Sequence, residues 1–309
     1  MQPRHLATLF ALSLVWGCSF LFIRVQLDAG FEPLGIAALR TALGALALLP
    51  LVMASRGRLP RSRGRWLAIA GLGAANFALP WSLVAVAEHH ISTGMASIAN
   101  STAPLWAAIL ALAFLREERL TPGRALGLLV GFAGIVILAG PANLVHLTGE
   151  ALGVALVLLS TLSYAAAAVV IRRTMGAIEP LHLAAGQLAA AAVILLPLAL
   201  GTGAFRSAEW QPAALGSALA LGLLGSGLAV VLYTALIQQI GAVRSTLVTY
   251  LIPPWGVLLG WAILEEPLGW NLLAGAAVTL VGLALVQGLP AAIADRRRPP
   301  TAVSVAGAE

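Results

Sequence analysis

Long apolar runs separated by short polar stretches dominate this chain of 309 residues. A helix needs about 20 mostly apolar residues to cross the hydrocarbon core of a bilayer. On that scale the pattern predicts spans near 6–27, 34–53, 66–86, 93–115 and 124–140. Five more are predicted near 151–171, 181–200, 212–237, 245–264 and 271–289. The first run is too long, and too poor in small-residue cleavage signals, to read as a cleaved signal peptide. The connections are brief and rich in Pro, Gly and charge, so none predicts a separate soluble domain. The expected fold is an all-α integral membrane protein of ten transmembrane helices. Residues 291–309, basic and then Pro/Ala-rich, are expected to form a disordered cytoplasmic tail.

Composition narrows the picture. The chain is 60% hydrophobic and 10% charged, with a mean hydropathy of +0.95, against about a quarter charged in soluble domains. Cys18 is the one cysteine, which excludes a disulfide within the chain and argues against a structural zinc site. No metal, cofactor or catalytic group is expected. All 18 basic residues are arginine, and they sit at the ends of apolar runs rather than on one basic face. Nucleic acid is therefore not an expected partner; membrane lipid and a small molecule are.

The arginines orient the chain by the positive-inside rule. With the N-terminus inside, the inner loops collect Arg4, Arg56, Arg58, Arg61, Arg63, Arg65, Arg116, Arg119, Arg124, Arg172, Arg173, Arg244 and Arg296, Arg297 and Arg298. Only Arg24, Arg40 and Arg206 fall elsewhere. Both termini are expected in the cytoplasm, and a bacterial inner membrane is the expected location.

The two halves, 1–145 and 146–290, resemble each other at an offset of 147 to 149 residues. Trp16 and Arg24 match Tyr164 and Arg172. Glu32, Pro33 and Arg40 match Glu179, Pro180 and Gln187, and Pro50 matches Pro197. Pro104 and Trp106 match Pro253 and Trp255. Glu118, Leu120, Gly127 and Gly134 match Glu266, Leu268, Gly275 and Gly282. Five helices per repeat is an odd number, so the repeats must insert upside down relative to each other, around a central cavity. Inverted repeats of this kind build carriers with a midplane site that opens alternately to either side.

Trp16-Gly17 with Phe20, Arg40, and Pro104 followed by Glu117-Glu118-Arg119-Leu120 form one motif set. Pro253 through Glu265-Glu266-Pro267-Leu268 repeats its second half. Over about residues 6–289 the chain resembles the EamA-type, ten-helix members of the drug/metabolite transporter superfamily. The resemblance implies efflux of amino acids and related metabolites through a central cavity lined mainly by helices 1, 3, 4, 6, 8 and 9 and their neighbours. Aromatic amino acids are one expected substrate class, and no enzymatic activity is expected. Arg24 departs from the lysine many relatives carry late in the first helix.

Arg40 lies roughly 10 Å along the second helix at 1.5 Å per residue. A charge at that depth is expected to face a cavity or a partner. It reads either as a clamp for a substrate carboxylate or as a structural arginine bonded to carbonyls or snorkelling outward. Trp16, Trp81, Trp106, Trp255, Tyr164 and Tyr233 fall within spans, where they serve either packing or a pocket for zwitterionic or aromatic substrates. Trp66, Trp210 and Trp270 read as interfacial. Pro80, Pro104, Pro253 and Pro254 are expected inside helices, freeing carbonyls one turn earlier. Asn76, Asn100, Ser101, Thr102 and Gln187 are polar at depth, and interhelical hydrogen bonding is their commoner use. The candidate substrate-binding set is Trp16, Arg40, Asn76, Trp81, Asn100, Pro104, Trp106, Tyr164, Gln187, Tyr233, Pro253 and Trp255.

Glu88-His89-His90 reads as a solvated helix end, with titration or metal binding as the alternatives. Glu117-Glu118 and Glu265-Glu266 are expected to complement the dipoles of the helices that follow them. No carboxylate lies in the middle of a span, which favours facilitated export over ion coupling. A nucleotide-sugar or sugar-phosphate antiporter would need several converging basic residues, and Arg40 alone is too few. A drug exporter remains a third carrier reading. A membrane-embedded enzyme lacks any HExxH, GxSxG or paired intramembrane aspartates. A monomer or weak homo-oligomer is expected.

Overall fold

Proline and small hydroxyl residues set where the helices begin. The computed structural model describes residues 3–55, 57, 62–114, 121–140, 143, 145, 146, 148–175, 178–240 and 248–286. Pro33, Pro122, Pro180 and Pro212 each open a helix, where the missing N–H has no intrahelical partner to lose. The Ser62, Ser92 and Thr121 hydroxyls accept from first-turn N–H groups, satisfying donors that lipid could not.

Ten helices result among the described residues: α1 (Pro3–Asp28), α2 (Pro33–Ala54), α3 (Arg63–Ala87), α4 (Thr93–Phe114), α5 (Pro122–Ala139), α6 (Gly149–Thr174), α7 (Pro180–Thr202), α8 (212–240), α9 (Val248–Leu264) and α10 (Trp270–Val286). They coincide with the ten predicted spans. Eight are long and apolar enough to cross a membrane; α9 and α10, at 17 residues each, are shorter apolar helices. No strand occurs among the described residues. Large apolar side chains such as Met53, Leu129, Val193 and Leu200 are exposed around the periphery, as a lipid-facing surface requires.

Three helices are irregular. In α3 the segment Ala74–Ala78 is π-helical, and in α8 so is Ala220–Leu228. Pro80 lacks the N–H that would bond the Asn76 carbonyl in a regular helix; the Leu79 N–H instead reaches back to Ala74. In α8 three glycines, Gly222, Gly225 and Gly227, occupy the corresponding stretch. The helix α4 breaks at Ser101 and Thr102, whose hydroxyls donate to the Ile98 and Ala99 carbonyls at 2.6 and 2.7 Å. Pro104 therefore opens the second half of α4 rather than kinking a continuous helix, a correction to its expected place. Pro253 and Pro254 do lie inside the unbroken α9.

Packing follows the repeat. The pairs α1–α9 and α6–α4, α2–α8 and α7–α3, and α3–α6 and α8–α1 are each other's symmetry mates. The mates α2 and α7 pack together, as do α4 and α9 and, most extensively, α5 and α10. In that last pair the backbones touch: a Cβ on Gly282 would collide with the Gly131 backbone, and one on Gly127 would lie 2.8 Å from the Gly282 carbonyl oxygen. This is the close approach that small-residue faces permit in membranes.

Candidate functional site

The two π-helical segments sit at equivalent places in the two repeats, and each is gripped from the opposite repeat. Arg40 on α2 donates through Nε to Ser226 Oγ in the α8 segment at 3.0 Å. Its repeat mate Gln187 on α7 accepts from Asn76 Nδ2 in the α3 segment at 3.1 Å. Helices α1 and α6 bond the same segments: Trp16 Nε1 donates to the Gly225 carbonyl at 3.1 Å, and Ser163 Oγ to the Ala75 carbonyl at 2.6 Å. π-Helical turns misalign backbone groups and recur at functional sites. Here they offer the carbonyls and hydroxyl that the flanking helices use.

One crossing is charged and the other neutral. Arg40 is 8% exposed, and its guanidinium carbon lies 3.8 Å from the Trp81 ring centroid, in cation–π contact. Tyr164, partly buried, packs against the same apolar cluster as Trp81. Only Nε of the guanidinium is bonded among the described residues, so its terminal nitrogens retain donor capacity. Gln187, 2% exposed, and Asn76 form the uncharged counterpart.

Trp16 and Tyr233 meet edge to face with centroids 5.2 Å apart, joining α1 to α8. Trp255 is held against α1 at a separate place: its Nε1 donates to Ser13 Oγ at 3.1 Å and its ring meets Phe10 at 5.2 Å. Trp106 packs on Phe132 of α5 with centroids 5.0 Å apart, away from Arg40. Asn100 ends the first half of α4, half-buried, and Pro253 is buried in α9. The structure thus gathers Arg40, Trp81 and Tyr164, pairs Asn76 with Gln187 and Trp16 with Tyr233, and shows no ring contact or hydrogen bond between Arg40 and Trp106, Trp255, Asn100, Pro104 or Pro253 among the described residues. Ser226, Gly225 and Ser163 are polar partners the sequence reading passed over. The one signal for the first two was a Gly-Ser-Gly run, 225–227, inside an apolar span.

Two carboxylates differ from expectation. Glu88 is not a solvated helix end: it is 0% exposed, and neither oxygen has a hydrogen-bond partner among the described residues. His89 and His90 beside it are exposed, and no group of His, Cys, Asp or Glu among the described residues could hold a metal. Glu266 does not serve α10. Glu265 adopts φ 55°, a left-handed turn, and Glu266 accepts from the Thr93 and Gly94 N–H groups at 2.7 and 3.1 Å. It therefore caps α4, because the turn aims it across the bundle. Glu117 and Glu118 lie outside the described residues.

The sequence pattern of the EamA-like transporter family matches residues 5–140 and, a second time, residues 151–287. An "Uncharacterized transporter" of Archaeoglobus fulgidus is 25% identical over 88% of this chain and 94% of its own length. The "Uncharacterized inner membrane transporter YedA" of Escherichia coli is 29% identical over 84% of this chain and 83% of its own. A "Probable terminal-alkyne amino-acid exporter" of Streptantibioticus cattleyicolor is 29% identical over 88% and 89%. A crystal structure at 18% identity superposes with a TM-score of 0.66, covering 94% of this chain and 99% of that one, a likeness of fold.

Proposed function

This chain belongs to the EamA-like transporter family, and we propose that it exports amino acids and related small metabolites across the inner membrane by alternating access. It is a multi-pass membrane transporter. The substrate class rests on one observation above all: a buried arginine stacked on Trp81, with its terminal N–H groups uncommitted among the described residues. A guanidinium so placed suits a carboxylate, which it meets with two parallel hydrogen bonds. The aromatic faces of Trp16, Trp81, Tyr164 and Tyr233 suit the apolar side of such a molecule. The neutral Asn76–Gln187 pair, in the equivalent position, offers amide groups without a second charge. One relative bears the name of an amino-acid exporter, which agrees with this reading. The arginine distribution supports cytoplasmic termini, with Asp28, Glu88 and Glu266 at the periplasmic end.

The cycle follows from the repeat. The charged crossing joins α2 to α8 and the neutral one joins α7 to α3. Rocking one repeat against the other exchanges these contacts while the site stays near the midplane. Proteoliposomes loaded separately with labelled phenylalanine, tryptophan, threonine and alanine, with and without a pH gradient, test the proposal. Release of at least one of them, lost in Arg40→Ala protein that inserts normally, is the expected result. No release of any under either condition rejects the substrate class and turns attention to drugs or phosphorylated sugars.

A further inference from the structure

Glu88 follows α3 directly, outside the span Arg63–Ala87, and its backbone N–H still bonds Val84 at 3.0 Å. The side chain is thus carried inward by the helix end rather than by a free loop. It is fully buried with both oxygens unpartnered among the described residues, and the Thr93 hydroxyl of α4 is likewise buried and unpartnered. A bare carboxylate in such surroundings is costly, and a carboxyl group relieves that cost by taking up a proton.

The charged groups around it come from several elements. Arg24 and Asp28 on α1, Arg40 on α2 and Glu266 in the turn between α9 and α10 act on it electrostatically. From α6, Gly153 meets the Ile91 side chain and the Ala87 carbonyl, His90 lies over Gly149 and Gly153, and Glu150 in the same turn is exposed. Two arginines and two other carboxylates balance, so this group is neutral with Glu88 protonated and carries one negative charge with Glu88 ionised. Burial pushes the carboxyl well above the usual carboxylate range, with Arg24 and Arg40 opposing and Glu266 and Asp28 reinforcing. His89 and His90, next in the chain, are exposed.

We propose that Glu88 is a proton-binding site through which this transporter exchanges outgoing substrate for an incoming proton. The ionised carboxylate and its acid are the two states of the site: a proton taken from the periplasmic side gives the acid, and its loss to the cytoplasm restores the carboxylate. No other bond changes. The ammonium group of an amino acid and the proton are alternative partners for one carboxylate, and that exclusion makes the two movements opposite. The exchange rests on the export reading above; the proton site itself does not.

Two measurements on full-length protein in liposomes test it, comparing wild type with Glu88→Gln, which keeps the shape and cannot ionise. Infrared difference spectra across mildly acid to mildly alkaline pH are expected to show a titrating protonated-carboxyl band in wild type that the variant lacks. Efflux of whichever of phenylalanine, tryptophan, threonine and alanine is released is expected to carry protons inward, read by a trapped pH dye. For one proton per substrate, an outer medium one pH unit more acid raises the steady-state substrate ratio about tenfold, and the variant is blind to it. A wild-type spectrum without that band, or one the variant shares, overturns the proton site. Efflux indifferent to the gradient overturns the exchange and leaves amino-acid export standing. The band without any efflux rejects the amino-acid reading and keeps the site.

Discussion

The Nε–H of Arg40 reaches Ser226 Oγ at 3.0 Å across 186 residues of sequence, joining the second helix of one repeat to the π-helical segment of the other. That bond holds the guanidinium over Trp81. Because the Ser226 hydroxyl itself donates to the Leu221 carbonyl at 3.0 Å, the irregular backbone of α8 orients its lone pairs toward Arg40.

Removing the hydroxyl should therefore loosen the arginine without removing its charge. Hydrogen bonds to charged groups contribute about 1.5–3 kcal/mol, roughly 10- to 150-fold in an equilibrium constant. Ser226→Ala is expected to raise the half-saturation for transported substrate within that range while the protein stays folded. Arg40→Lys should not rescue Arg40→Ala, since an ammonium cannot make the planar, two-pronged contact. Efflux titrations on the three variants check both statements.

Gln187→Leu should act on stability more than on transport. It leaves the part-buried Asn76 amide without its 3.1 Å partner, at a cost of about 1–3 kcal/mol. Thermal unfolding in lipid nanodiscs is expected to show a clear fall in Tm. An unchanged Tm would mean that Asn76 finds another acceptor.

Gly282→Ala puts a methyl group against the Gly131 backbone at the α5–α10 crossing. Backbone atoms cannot yield as a side chain tip does, so the helices must part, at about 1–3 kcal/mol. The expected outcome is a lower yield of monodisperse protein in detergent. Gly123→Ala on the same α5, where an added Cβ meets nothing within 4 Å, should behave as wild type.

Glu266→Gln keeps the shape of the cap on α4 but removes its negative charge, and Glu266→Ala removes both. Loss of a cap costs about 0.5–2 kcal/mol, so Tm is expected to fall for both variants and further for alanine. Equal values would show that the Thr93 and Gly94 N–H bonds add nothing beyond charge.

The ten helices and the twofold repeat were legible in the chain itself. Lipid imposes a length and an apolarity that composition reveals directly, and matched pairs such as Pro104 with Pro253 survive as rare letters in register. That Arg40 would need a partner was also legible, because one charge deep in an apolar run has few explanations, and Ser226 and Trp81 supply it. Tertiary structure alone decided which side chains meet. Ser226 looked like any small residue of an apolar span until α8 turned π-helical and met α2. Trp106 and Trp255, matched in the repeat, go to different neighbours, because side-chain contacts follow local packing while the helix order follows hydropathy. Glu88, read as a wet helix end, is fully buried, which its place at the end of an apolar run could not reveal. Sequence specifies how far each residue lies along its helix; only the packed bundle specifies which way it faces and what water it loses.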